Sequence, residues 1–151
     1  MKKYLIIGNP LDHSLSPKLH NYWLKKNNLS AIYEKKEINT DNIKEVFLKI
    51  NKGEIKGMNV TVPFKKAVIP YLDKLSDLAE RTQSVNTIYQ QNNKIIGDNT
   101  DIQGFEFGIK YSGFEIKNKK VFILGAGGVT PSVLFSLINQ GASEIYLSNR
   151  T

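Results

Sequence analysis

An α/β fold with a mostly parallel sheet is predicted by three features of the sequence. Strand and helix signals alternate from the first residues onward, the helix starts carry capping and proline signals, and one short apolar strand runs directly into a glycine-rich turn. Met1-Lys-Lys-Tyr-Leu-Ile-Ile7 has the charge of a leader peptide, but Gly8-Asn9-Pro10 breaks its apolar run, so it reads as a first strand over 3–8. Ser16 followed by Pro17 predicts an N-cap and first helical residue for a helix over 17–28, with Trp23 assigned to the core. A strand over 32–38 follows, then a helix over 41–52 capped by Thr40 or Asp41 and ending at Gly53. A strand is expected over 57–61, helices over 64–71 and 74–82, and strands over 86–91 and 94–98. Gln91-Asn92-Asn93-Lys94 between the last two reads as a hairpin turn. The remaining elements are a helix over 101–112, a strand over 120–125, a helix over 129–140 carrying Val133, Leu134, Leu137 and Ile138, and a strand over 144–148.

At 151 residues and 40% hydrophobic composition, the chain can bury one core or two small ones without disulfides. It has no cysteine, which excludes a thiol nucleophile and cysteine-based metal sites and fits a reducing, cytoplasmic setting. No segment approaches the roughly eighteen apolar residues of a membrane span, and no membrane partner is expected. The net charge of +7 comes from lysines scattered along the chain rather than gathered among aromatics. We therefore expect solvated lysine faces and no nucleic-acid partner, with a general field that suits anionic ligands. His13 and His20 have no third ligand and make no zinc site. His13 reads as a loop residue near the pocket and His20 as a helix-surface residue.

The strand Val121 to Leu124 feeds Gly125-Ala126-Gly127-Gly128 and then Val129, a turn whose backbone N–H groups can approach a pyrophosphate at a helix N-terminus. It departs from the usual dinucleotide pattern in carrying Thr130 where a third glycine is preferred, followed by Pro131. A plain strand–turn–helix is the alternative. At the end of the next strand, where an NAD site would carry an acidic residue, stand Ser148, Asn149, Arg150 and Thr151. Arg150 is either a solvated loop residue or the cation for a 2′-phosphate, which makes NADP(H) the better expectation than NAD. The domain boundary is expected at Asp101, with a substrate unit over 1–100 and, over 101–151, a linker helix and the incomplete opening of a nucleotide-binding unit.

Four segments place small polar and ionisable residues at strand ends and helix starts: Gly8 to Pro17, Gly57 to Lys65, Ser84 to Thr87, and Gly97 to Asp101. Hydroxyls of Ser14 and Ser16 at a helix entrance suit an anion, although an N-cap and a loop serine are the simpler readings. Lys65, placed in the first turn of the predicted helix 64–71, would feel an opposing macrodipole that lowers its pKa, which suits acid–base work. Lys66 is kept as surface, and Asp98 as a structural support for the turn after it. Asp101 read alone is a helix cap.

Ser14-Leu-Ser-Pro17, Asn59-Val-Thr-Val-Pro-Phe-Lys65, Val85-Asn-Thr87, Gly97-Asp-Asn-Thr-Asp101, the Gly125 turn and Asn149-Arg-Thr151 together resemble the shikimate dehydrogenase family in order and spacing. The resemblance covers the whole chain. It implies NADPH-dependent reduction of 3-dehydroshikimate to shikimate, with Lys65 and Asp101 as the catalytic pair. It gives the substrate carboxylate to Ser14 and Ser16, the ring hydroxyls to Asn59, Thr61 and Asn86, and the cofactor to Gly125, Ala126, Gly127, Gly128, Val129, Asn149, Arg150 and Thr151. The implied partners are small molecules, and the implied assembly is a monomer or homodimer. Members of the family run about a hundred residues longer, so the chain is expected to be a truncated enzyme. A relative acting on quinate and a non-catalytic binding fragment are the alternatives.

Overall fold

In the computed structural model, which describes residues 1–150, the N-terminal apolar run becomes β1 (Lys2–Gly8), the strand on which the larger sheet is built. β1 lies between β2 (Ala31–Glu37) and β3 (Gly57–Val60), parallel to both. A strand covered on both faces has no polar side to show, hence the unbroken Leu5-Ile6-Ile7. Successive side chains point to opposite faces. Leu5 and Ile7 enter the main core with Val46, Ile50, Met58 and Val60, while Ile6 joins Leu11 and Tyr33 on the other side.

Beyond β3 the sheet continues through β5 (Thr87–Gln91) and β6 (Lys94–Asp98), giving the order β2-β1-β3-β5-β6-β4 with the short edge strand β4 (Lys74–Leu75). β5 runs antiparallel to β3 and β6, and β4 runs parallel to β6. The β5–β6 hairpin turns on Asn92 and Asn93, both left-handed at φ 51° and 58°, as a two-residue primed turn requires. Two further strands, β7 (Lys120–Leu124) and β8 (Glu144–Ser148), pair parallel as a separate sheet.

The helices are α1 (Ser16–Lys26), α2 (Ile43–Asn51), α3 (Asp77–Thr82), α4 (Asp101–Tyr111) and α5 (Thr130–Asn139). α2 buries Ile43, Val46, Phe47 and Ile50, a stripe at helical spacing. α1 buries no residue completely. Trp23 is 47% exposed there, not core. His20 is not a plain surface residue: its ring stacks on Tyr33 at 4.1 Å between centroids.

Several expected boundaries move. Ser16 is the first residue of α1, and Leu15 occupies the N-cap. α2 is entered through a 3-10 turn at Thr40–Asn42, where Asn39 N donates to Asn42 Oδ1, so neither Thr40 nor Asp41 caps it. The helix expected over 64–71 is a run of turns ending in a 3-10 segment, Ile69–Tyr71. Pro70 removes a donor there and disfavours helical geometry at Ile69. The helix expected from residue 74 starts at Asp77, because Ser76 caps it by accepting from Ala79 N at 3.2 Å. The two residues before that cap are held in the sheet beside β6.

The C-terminal ends of β1, β3 and β6 and the start of β5 lie along one edge of the sheet. Gly8 lets two of them close up: a Cβ there would sit 2.4 Å from Thr61 Cγ2. The four polar segments of the sequence all converge on this edge.

Candidate active site

Lys65 and Asp101 meet at this edge, Nζ to Oδ2 at 2.6 Å, with side chains only 13% and 23% exposed. They are brought together by the turn after β3 and the first residue of α4. Asn86 donates from Nδ2 to the other carboxylate oxygen, Oδ1, at 2.7 Å. Both oxygens of Asp101 are thus engaged, and its carboxylate plane is fixed.

Asn86 is itself oriented. Its Oδ1 accepts from Thr100 N at 2.9 Å, from the Thr100 hydroxyl at 3.1 Å and from the Thr87 hydroxyl at 3.0 Å. That set of donors forces the amide nitrogen toward Asp101. Asn59 continues the network by donating to Asn86 O and Thr87 Oγ1, each at 3.2 Å. Its Oδ1 takes the Tyr33 phenol at 2.6 Å. Burial pushes the Tyr33 hydroxyl pKa well up, and a hydrogen bond with the Ser16 side chain opposes that in part. The phenol therefore stays a donor at neutral pH. Burial also lowers the pKa of His20, which stacks on the same ring.

Ser14 stands beside Ser16, its Oγ accepting Ser16 N at 3.4 Å. Thr61 sits against Gly8 and accepts Phe64 N through its carbonyl at 2.9 Å. Lys66 is exposed. Asp98 Oδ1 accepts Asn99 N and the Ser76 hydroxyl, a bracing role for the turn into α4. His13 lies in the exposed loop before α1. Because 62–68 forms turns rather than a helix, Lys65 has no helix of its own, and the macrodipole expected from 64–71 is absent. What stands next to Lys65 is a carboxylate.

The glycine-rich turn lies over the same place. Gly125 adopts φ +109°, a conformation that strains any side chain, and its N–H donates to Ser148 O at 2.7 Å. Ala126 N donates to Asn149 Oδ1, and the Thr130 hydroxyl to Gly125 O. Gly128 O accepts the Ser84 hydroxyl at 3.4 Å, and a Cβ on Gly128 would come within 3.9 Å of Lys65 Cδ. A cavity of about 320 Å³ lined by Val62, Lys65, Ser84, Gly128 and Pro131 separates the turn from the Lys65 segment. Space is open above Gly127. Val129 is the N-cap of α5, Pro131 falls in its first turn, and Arg150 is exposed. Thr151 lies outside the described residues.

Residues 6–88 match the shikimate dehydrogenase substrate binding domain. The chain belongs to that family. It is 55% identical over 150 residues to the NADP(+) shikimate dehydrogenase of Pelagibacter ubique, covering 99% of this chain and 57% of that protein. The crystal structure of shikimate dehydrogenase from Aquifex aeolicus superposes with a TM-score of 0.94 at 40% identity, over 100% of this chain and 56% of the other. Shikimate 5-dehydrogenase from Thermus thermophilus, solved with NADP(H) and shikimate, superposes with a TM-score of 0.89 at 33% identity, over 100% and 57%. The chain thus spans about half the length of the relatives it matches.

Within this family frame, reasoning from the sequence missed three side chains of the network. Thr87 and Thr100 stand inside the quoted motifs, but the spacing of a motif does not tell which neighbours its amides and hydroxyls will meet. Tyr33 had no signal, since it reads as an ordinary aromatic in a strand.

Proposed function

We propose that this chain forms the substrate-binding part and the opening of the cofactor-binding part of an NADP-dependent shikimate dehydrogenase. The enzyme would reduce 3-dehydroshikimate to shikimate on the route to chorismate and the aromatic amino acids. The observation that carries this reading is the half-buried Lys65–Asp101 pair, oriented by Asn86 and facing the glycine turn. Residues 1–100 make the substrate and catalytic unit, and 101–151 open the NADP unit.

The residues present fit a dinucleotide. The turn leaves its backbone uncovered at Gly127, and α5 begins directly after it, so Gly125, Ala126, Gly127, Gly128 and Val129 would meet the pyrophosphate. Asn149, Arg150 and Thr151 would meet the adenosine side, Arg150 taking the 2′-phosphate. When bound, NADPH supplies the hydride that reduces the ring carbonyl carbon. Lys65 delivers a proton to the carbonyl oxygen as that carbon gains the hydride, and in the oxidation of shikimate Lys65 takes the hydroxyl proton back. Asp101 holds the ammonium in place, and Asn86 holds Asp101. Ser14 and Ser16 meet the substrate carboxylate. Asn59, Thr61 and Asn86 pair with the ring hydroxyls, each of which would cost about 1–3 kcal/mol if buried unpaired.

The protein works as a monomer or homodimer in the cytoplasm on small molecules. No described helix is long and apolar enough to cross a membrane. The test is NADP reduction by the complete protein, with shikimate and quinate offered side by side and with NAD as alternative cofactor. Turnover preferring shikimate and NADP is expected. Saturable shikimate binding with no turnover of either acid would overturn the enzymatic reading in favour of a binding protein.

A further inference from the structure

The turn that ends in Asp101 contains a side chain that the proposed chemistry does not use. Asn99 is 1% exposed. Its Nδ2 lies 3.0 Å from Thr82 Oγ1, 2.9 Å from Ser84 O and 2.8 Å from Ser132 Oγ. Its Oδ1 accepts the backbone N–H of Asp101 at 3.0 Å. One buried amide therefore touches both the start of α4, where Asp101 sits, and the first turn of α5, which carries the glycine turn.

The contacts around it run the same way. Ser132 and Ser136, spaced one turn apart on α5, are both completely buried. The Ser136 hydroxyl reaches Ile102 O at 3.3 Å, one residue past Asp101. Ser84, whose carbonyl Asn99 engages, sends its hydroxyl to Gly128 O. A buried amide with unmade hydrogen bonds is costly, so the arrangement selects one relative placement of these segments. An apolar contact would have tolerated sliding between them.

We propose that Asn99 is a positioning residue that ties Asp101 to α5 and so fixes the reach between the Lys65–Asp101 pair and the cofactor turn. This rests on the dehydrogenase reading for its catalytic consequence, but not for its structural one. Asn99 touches no reacting atom. Its function is to keep donor and acceptor carbons within reaction distance, where misplacement by about 1 Å can cost on the order of a hundredfold in rate.

The experiment uses the complete protein with Asn99→Ala, Ser132→Ala and the double variant Asn99→Ala/Ser132→Ala. Ser132→Ala removes the α5 partner alone, leaves the acceptor for Asp101 in place and guards against Asn99→Ala failing to fold. In Ser132→Ala, amide exchange should quicken at residues 132 and 133 but not at Asp101, and in Asn99→Ala at all three, with the amides of β1 unchanged. For turnover, Ser132→Ala should lower kcat about tenfold at unaltered shikimate affinity, and should add nothing to Asn99→Ala. Exchange at residues 132 and 133 as in the parent, or independent multiplying losses in the double variant, would overturn the tie. A parent protein that neither binds nor oxidises shikimate, yet shows the exchange pattern, would keep the tie and overturn the substrate reading.

Discussion

At the scale of single residues, the site is a chain of oriented groups running from Ser16 through Tyr33, Asn59 and Asn86 to Asp101 and Lys65. Each amide is turned by its neighbours, so a defect at one end should be felt at the other. Lys65→Ala in the complete protein should lower kcat by about 10²–10⁴-fold with little change in shikimate affinity. Turnover equal to the parent would remove Lys65 from the mechanism. Tyr33→Phe deletes the donor to Asn59 Oδ1 at a cost of about 1 kcal/mol in stability, and it should raise KM for shikimate more than it lowers kcat. His20 gives a pH dependence whose sign is fixed by burial. Its folded pKa lies below the ordinary 6.5, so the unfolded chain takes up the proton first. The stability that His20 contributes is therefore present above pH 6.5 and is lost as pH falls from there toward the folded value. His20→Phe keeps a stacked ring on Tyr33 without the titration. Urea melts at pH 7.5 and 5.5 should show a smaller acid loss for that variant than for the parent, and equal losses would assign the dependence to other groups.

Elements decide where those residues stand. The helix expected over 64–71 gives way to turns, and this changes the electrostatic account of Lys65: its partner is the Asp101 carboxylate, not the dipole of a helix of its own. Nothing in the local sequence pairs residues 36 apart. Close approach of strand ends depends on glycine at position 8, where an added Cβ meets Thr61 Cγ2 at 2.4 Å and Leu11 Cδ2 at 2.8 Å. Gly8→Ala should cost about 1–3 kcal/mol in stability and weaken shikimate binding by shifting Thr61, as denaturant melts and calorimetric titration would record. Unchanged affinity would separate Thr61 from the pocket. The hairpin, the pairing of β7 with β8 and the order of the polar segments were all legible in advance, because they follow from local turn chemistry and apolar runs. Helix starts were not: Leu15 rather than Ser16 caps α1, and α3 begins at Asp77 rather than at residue 74, since competing bonds to Ser14 and to β6 set those starts.

For the molecule as a whole, the six-stranded sheet holds a continuous core on one face, whereas β7 and β8 expose Phe122, Leu124, Tyr146 and Leu147. Apolar surface of that kind is unfavourable in water, and the 151 residues expressed alone should self-associate with rising concentration in sedimentation experiments. A chain that stays monomeric at all concentrations would show that this face is tolerated. The sequence by itself determined the α/β class, the order of the elements outside residues 64–76, the glycine turn and the four polar segments, because these depend on neighbours within a few residues and on motif spacing. The pairing of Lys65 with Asp101 was implied by the family resemblance, but only the tertiary structure decided its geometry, that Tyr33 and Thr100 orient the amides, that Trp23 is exposed, and that one buried asparagine touches both α4 and α5. Those outcomes depend on which strands lie side by side and how closely they approach, and hydrogen-bond geometry is settled only once the whole sheet has set the distances.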